Sequence, residues 1–271
     1  MTETKSVLVP LETGVERDLS SPISKALIVL DAVGTAETPP RFADLLTILP
    51  LSKATLHRML KSLTNEEMLS LDQKTHTYRV GLRLLRLAHS AWSSNTLANV
   101  AEPVLDAVSQ KLNMTVHLAV LDNYQVLYVG KRVPASSVQM YSSPGKIGPA
   151  YCTGVGKALL AHLPESQQEI SLTAQSYGRH TSKTLTSANA LRNELKKIAK
   201  HGYALDDEEH EQSIICVAAP IRNRNGTLLG ALSATSTTFI TTIDAMKDLA
   251  PTIIEAASQI GEAAEYQMKQ A

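Results

Sequence analysis

The stretch that most constrains this chain runs from Phe42 to Val80. Phe42, Leu45, Leu46 and Leu49 recur at the spacing of one helix face, and Pro50 ends the run because its ring forbids continuation. Two residues later Ser52 stands where a hydroxyl caps a new helix, whose apolar face is Leu56, Met59, Leu60 and Leu63. "LSLDQKTHTYRV", Leu69 to Val80, is two short segments around a polar turn, the pattern of a β-hairpin. Upstream, Ala26, Leu27, Leu30 and Val33 mark an earlier helix, with Ser24 as its expected cap, that "TAETPP" breaks. Three helices and a hairpin over residues 22–82 outline a winged helix-turn-helix.

Charge supports that outline locally, although the chain as a whole has a formal net charge of zero. From Arg41 to Ser90, eight basic residues face four acids, Asp44, Glu66, Glu67 and Asp72. The acidic first forty residues and the run near Asp206 cancel this excess, so a basic field concentrates on the helix-turn-helix. With its apolar face buried, the capped helix turns Ser52, Lys53, Thr55, His57, Arg58 and Lys61 outward. Such side chains donate to phosphates or reach base edges in a major groove. Lys74 and Arg79 on the hairpin add positive charge beside it. A polar outer face alone is what any surface helix shows; the order of helix, tight break, capped basic helix and basic hairpin favours DNA binding.

Residues 1–21 are polar and unpatterned, and a flexible tail is expected there. A linking helix is expected over residues 83–98, and a second domain over 99–271. That domain opens with a helix from about Asn99 to Leu112 carrying Pro103 in its first turn. "TVHLAVLD", "QVLYVGKR" and "SVQMYSS" read as consecutive strands. "GVGKALLAHL" and "ANALRNELKKIAKHG" read as helices, the second stopped by Gly202. "IICVAAPI" and "LLGALSAT" flank "RNRNG", a hairpin signal because Asn-Gly supplies positive φ. One last amphipathic helix is expected from Ile243 to Gln267. The fold class is therefore α+β with two domains, the second having mostly antiparallel strands with helices at its ends or on one face.

Two stretches of the second domain carry chemistry. In "GPAYCTGVGKALLA", Gly154 and Gly156 open a helix, either because small residues are needed for packing or because the free N–H groups bind an anion. The glycine pattern matches no nucleotide fingerprint. In "DDEEHEQSIICVAAP", the charges of Asp207, Glu209 and Glu211 read as a solvated face. Catalysis is not expected. Cys152 with His180 or His201, or Ser233 with His117, lack any flanking nucleophile motif. His162, His210 and the nearby acids lack metal-ligand spacing, so neither a metal nor a cofactor is expected.

"LSKATLHRMLKSL", "GPAYCTGVGKALLA" and "GYALDDEEHEQSIICVAAPIRNRNGTLLGALSAT" together resemble the IclR family of bacterial transcriptional regulators, over about Pro22 to Met268. The chain departs from it at Pro50, where Gly is usual, at Ala54, where Ser is common, and at Ala150–Tyr151, often Leu-His. The resemblance implies an N-terminal winged helix-turn-helix, a linker helix and a C-terminal GAF-like effector-binding domain. It further implies a homodimer or homotetramer on palindromic double-stranded operator DNA, usually repressing, under control of a small organic acid. Carried onto this sequence, Gly154 and Val155 would present N–H groups to the acid's carboxylate. Asp206 would accept from a ligand hydroxyl or hydrated carbonyl, and Ser233 and Thr235 would donate to the carboxylate. Cys216, Gly148, Pro149 and Met140 would fall on the pocket wall. The competing expectation is a metabolite-sensing module acting through protein contacts without specific DNA binding.

No apolar run is long enough to span a bilayer, the first residues lack the pattern of a secretory signal, and Cys152 and Cys216 form no CxxC pair. The expected location is the cytoplasm, with no membrane partner.

Overall fold

The computed structural model describes residues 20–93, 96–134 and 142–268. The chain divides into two compact units, Met1–Ser94 and Asn95–Ala271. The expected tail, Met140 and most of the strand expected at "SVQMYSS" lie outside the described residues.

In the first unit, α1 (Pro22–Thr35), α2 (Phe42–Ile48) and α3 (Lys53–Asn65) bring their apolar stripes together. Val29, Val33, Leu45, Leu56, Met59, Leu60 and Leu63 form the core with Leu69 of the hairpin. Ser52 caps α3, its Oγ accepting from the Thr55 N–H at 3.2 Å. The cap of α1 is Ser21 rather than Ser24: Ser21 Oγ accepts from the Ser24 N–H at 3.1 Å. Pro22 then takes the first helical position, where a missing N–H is harmless, which moves the helix start upstream. Strands β1 (Leu69–Asp72) and β2 (Thr77–Val80) pair antiparallel. Asp72 Oδ1 accepts from the N–H groups of Lys74 and Thr75, and His76 adopts φ 55°, which closes the turn. Helix α4 (Leu82–Ser93) follows, with Leu82, Leu85 and Leu87 exposed.

The second unit begins with α5 (Thr96–Leu112), which starts upstream of the expected position and places Pro103 in the helix interior. Leu97, Ala98 and Ala101, all buried, reward helix formation before the proline. That burial offsets the roughly 3 kcal/mol an internal proline costs. Then come β3 (Thr115–Asp122), β4 (Gln125–Arg132), β5 (Ile147–Gly148), α6 (Gly154–Ala161), α7 (Glu165–Ala174) and α8 (Ala188–His201). The chain ends with β6 (Ala204–Asp207), β7 (Ile214–Arg222), β8 (Leu228–Thr237), α9 (Ile243–Asp248) and α10 (Ala250–Met268). The expected single last helix is thus broken at Leu249. A continuous helix would need an N–H at residue 251, and Pro251 has none.

The strands form one antiparallel sheet in the order β5-β4-β3-β8-β7-β6. In the β7–β8 turn Gly226 alone takes positive φ, at 81°, and Asn225 does not. Helices cover both faces of the sheet, where helices at its ends or on one face were expected. Helices α5, α9 and α10 pack on one face through Leu105, Met246, Ile253 and Ile260. Helices α6, α7 and α8 pack on the other through Leu159, Leu172, Leu191 and Leu195. A long apolar run on both sides of the central strands demands two covers. Among the described residues no helix is long and apolar enough to cross a membrane.

Candidate functional site

Alternation along the strands decides which side chains meet. On β7, Ile215, Val217, Ala219 and Ile221 enter the core under α5 and α10, which turns Cys216 and Ala218 to the α6 face. On β8, Leu232 and Ala234 enter the same core and leave Ser233 and Thr235 opposite; on β3, Val116 and Leu118 leave His117 opposite. Register then aligns them. Asp206 pairs with Cys216, Cys216 with Thr235, and in the next row Ala218 with Ser233 and Ser233 with His117.

Helix α6 comes down on these rows with its N-terminus. Gly154 is required there, since a Cβ would stand 2.3 Å from Cys216 Sγ. The result is a cavity that brings Gly154, Val155, Asp206, Cys216, Ser233 and Thr235 onto one wall system. Gly148 is not on the lining: it backs the ring of Tyr128, which is, with a Cβ position 3.3 Å from Tyr128 Cε2. Met140 lies outside the described residues.

The cavity also has walls that spacing did not nominate: His117, Tyr128, Ser142, Thr153, His210, Glu211 and Ile214. His117 is the hub. Its Nε2 lies 2.6 Å from Ser142 Oγ, and its Nδ1 lies 3.3 Å from Thr235 Oγ1 and 3.5 Å from Ser233 Oγ. Burial, with the Lys131 ammonium adding to it, lowers its pKa to about 3, so the ring is neutral. A neutral imidazole that resists protonation is a poor general base, and hydroxyls rather than a carboxylate hold it. The signal that would have found it is the polar position of His117 between Val116 and Leu118, in the register that also exposes Ser233.

The acidic run departs most from expectation. Asp207 is half-exposed and pairs with Lys183 at 2.9 Å, but Glu209 is buried and Glu211 lines the cavity. The reason is Lys157, the fourth residue of α6, which is 1% exposed and ion-paired to Glu209. Burial raises Asp206 to about 6 against the opposing pull of Lys157 and of the Glu209 N–H, which donates to Asp206 Oδ1 at 2.8 Å. Burial raises Glu209 to about 7, with Lys157 again opposing. The thiols of Cys152 and Cys216 are pushed far up by burial and stay protonated, so neither is a nucleophile.

On the first unit, Ser52, Lys53, His57, Arg58 and Lys61 are exposed on α3, and Lys74 and Arg79 are exposed on the hairpin. Thr55 is half-buried, its Oγ1 accepting from Ser52 Oγ at 2.9 Å. Arg83 and Arg86 are not free: they pair with Glu66 and Glu67 at 2.5 and 3.0 Å. Among the described residues, Lys53, Arg58, Lys61 and Lys74 have no carboxylate within ion-pairing distance. The positive field is therefore concentrated on α3 and the hairpin tip.

Residues 22–73 match the IclR helix-turn-helix domain, and residues 89–262 match the C-terminal domain of the bacterial transcriptional regulator IclR. The chain belongs to the IclR family. It is a DNA-binding transcriptional regulator and not an enzyme. Its relatives include XynR of Escherichia coli K12, 32% identical over 216 residues, 80% of this chain and 86% of that one. KdgR of the same organism is 29% identical over 80% of this chain and 82% of its own. The acetate operon repressor of Salmonella typhimurium is 27% identical over 88% of each. Among solved structures, the Thermotoga maritima IclR shares the fold with a TM-score of 0.68 at 25% identity, covering 88% of this chain and 96% of that one. An IclR homolog from Microbacterium hydrocarbonoxydans, complexed with 4-hydroxybenzoate, aligns at 0.77 with 24% identity over 91% and 100%.

Proposed function

We propose that this IclR-family regulator is a cytoplasmic repressor whose operator affinity is set by a small organic acid in the second unit. The observation that carries the reading is the cavity in which Asp206, Ser233, Thr235 and the start of α6 converge. Hydroxyls and backbone N–H groups suit a carboxylate, and the Asp206 acceptor suits a hydroxyl or hydrated carbonyl on the same ligand. A related protein bearing the name of a repressor, with matching coverage, supports repression as the mode. In this reading residues 22–82 bind DNA through Ser52, Lys53, Thr55, His57, Arg58, Lys61, Lys74 and Arg79. Residues 83–98 link them to the effector domain, 99–271. A homodimer or homotetramer would meet the two halves of a palindromic operator, and the acid acts by favouring one spacing of the DNA-binding domains.

The test is fluorescence anisotropy of the full chain on DNA from upstream of its own gene and on scrambled DNA, across a salt series. Each is run with a panel of 2-keto acids, sugar acids and hydroxybenzoates. Sequence-preferring binding at about 10⁻⁸ to 10⁻¹¹ M, released by one acid and no longer released after Asp206→Asn, is expected. Binding strengthened by the acid would replace repression by activation. Equal, steeply salt-sensitive binding to both DNAs, unmoved by any acid, would count against the effector reading.

A further inference from the structure

Lys157 lines no part of the cavity, yet it sits at the base of the turn that builds one wall. A buried ammonium is untenable without compensation. Glu209 Oε1 provides the ion pair, while Glu209 Oε2 is buried with no hydrogen-bond partner among the described residues. The Glu209 N–H donates to Asp206 Oδ1, so ammonium, glutamate and the wall aspartate form one chain. From outside, Thr184 Oγ1 donates to the Glu209 carbonyl at 2.7 Å and Thr181 Oγ1 to that of Glu208 at 2.6 Å. The turn is thus clamped between α6 and residues 181–184, and the clamped turn carries His210 and Glu211 onto the cavity.

We propose that Lys157 is a positioning residue of the effector pocket: its ammonium, ion-paired to Glu209, holds the Asp206–Glu211 turn against α6 and so sets the Asp206 carboxylate on the cavity wall. The inference rests on reading this cavity as the effector site. The groups facing Asp206 explain why the task falls to Lys157. From the turn, the Glu209 N–H and His210 favour the anion, while Glu211 disfavours it. The surrounding Cys216 of β7, Cys152 before α6 and Tyr128 of β4 are all held protonated by burial. Glu194 of α8 faces the Lys157–Glu209 pair. Against burial that drives Asp206 towards its neutral acid, Lys157 is the largest opposing influence. One ammonium serves two carboxylates, so changing either end of its ion pair changes the charge felt by Asp206.

This gives a test that needs no ligand. The Asp206 carboxyl is titrated by ¹³C NMR in full-length, aspartate-labelled protein, the signal being assigned by its loss in Asp206→Asn. Lys157→Met raises the Asp206 midpoint by about one pH unit or more. Glu209→Gln, which leaves the ammonium without its partner, lowers it. The double variant falls between the two. If Lys157→Met does not fold, the downward shift in Glu209→Gln carries the test alone. A merely structural role predicts something else: both variants let water in and move Asp206 in the same direction, towards an ordinary carboxylate value. That result, or no movement in either, overturns the proposal. Opposite shifts in a protein that binds no acid would refute the effector reading and leave the role of Lys157 standing.

Discussion

Replacing Gly154 by Ala adds one methyl group at the point where α6 touches the sheet. The new Cβ would stand 2.3 Å from Cys216 Sγ, while its next neighbours, Ala218 Cβ and Asp206 Cβ, would lie at ordinary distances of 3.5 and 3.6 Å. Comfortable contact needs about 3.5–4 Å, so more than an ångström must be found against one atom. Cys216 is buried and cannot swing aside freely, so α6 or β7 has to shift. Overpacking of this kind costs about 1–3 kcal/mol, which for a unit of this size is about 2–4 °C of Tm per kcal/mol. Cys216→Ala alone also destabilises, by removing a buried sulfur. Together the two changes conserve volume, because the methyl added by Gly154→Ala enters the space the sulfur vacates. The pair should therefore be more stable than the sum of the singles by about 1–3 kcal/mol. Urea denaturation followed by circular dichroism measures the cycle. The chain's single tryptophan, Trp92, belongs to the other unit, so its emission is an internal control that should not move. Additive effects would refute the contact, and equal loss in both units would refute its assignment to α6.

Asp206 holds its proton up to about pH 6 when folded against an ordinary 3.8, so the folded state binds more protons between those values. That contribution is complete below the unfolded pKa and is lost as pH rises through 6, to the extent of roughly 3 kcal/mol. Asp206→Asn should then be more stable than the parent at pH 8, with the difference vanishing near pH 4; a constant difference across a pH series of denaturation curves would refute this. His117, whose pKa burial lowers to about 3, should show flat ¹⁵N imidazole shifts from pH 5 to 8, and a midpoint inside that range would contradict its buried, neutral state. Arg58→Ala and Lys61→Ala should each weaken DNA binding and reduce the slope of log K against log salt by about one where the side chain meets a phosphate. An unchanged slope would remove that residue from the phosphate interface.

The first unit was legible because its signals are local. Pro50, Ser52 and the Leu56–Leu63 stripe specify a stop, a cap and a buried face within one stretch of chain, and the structure places each as read. The α1 cap was misplaced because Ser21 and Ser24 are both serines at a helix start, and only Pro22 at the first helical position separates them. Long-range facts were harder. The helix ahead of Pro103 depends on what Leu97, Ala98 and Ala101 bury, and a second helical layer on the sheet cannot be read from any one strand. Glu209 looked solvated beside Asp207 and Glu211 because its partner, Lys157, stands in a helix with no sequence proximity to it. A lysine amid "GVGKALLA" was the available clue, since such a helix buries every face and a buried ammonium needs an acid.

What makes a pocket here, rather than more core, is the different use of the two sides of the same strands. The face under α5 and α10 carries Ile215, Val217, Ile221 and Leu232, and side chains of that size fill the space between layers. The face under α6 carries Ala218, Ala231, Cys216, Ser233 and Thr235, which are short, while Gly154 brings the helix start close. Short side chains leave a void beside that contact, and the register lines the void with hydroxyls, an imidazole and a carboxylate. Polar groups in such a place must find partners. His117 finds them in Ser142, Ser233 and Thr235, while Asp206 takes the Glu209 N–H and the field of Lys157. An incoming carboxylate would compete with His117 for the Ser233 and Thr235 hydroxyls. In that case the imidazole would donate from Nδ1 to those hydroxyls and accept from Ser142 at Nε2.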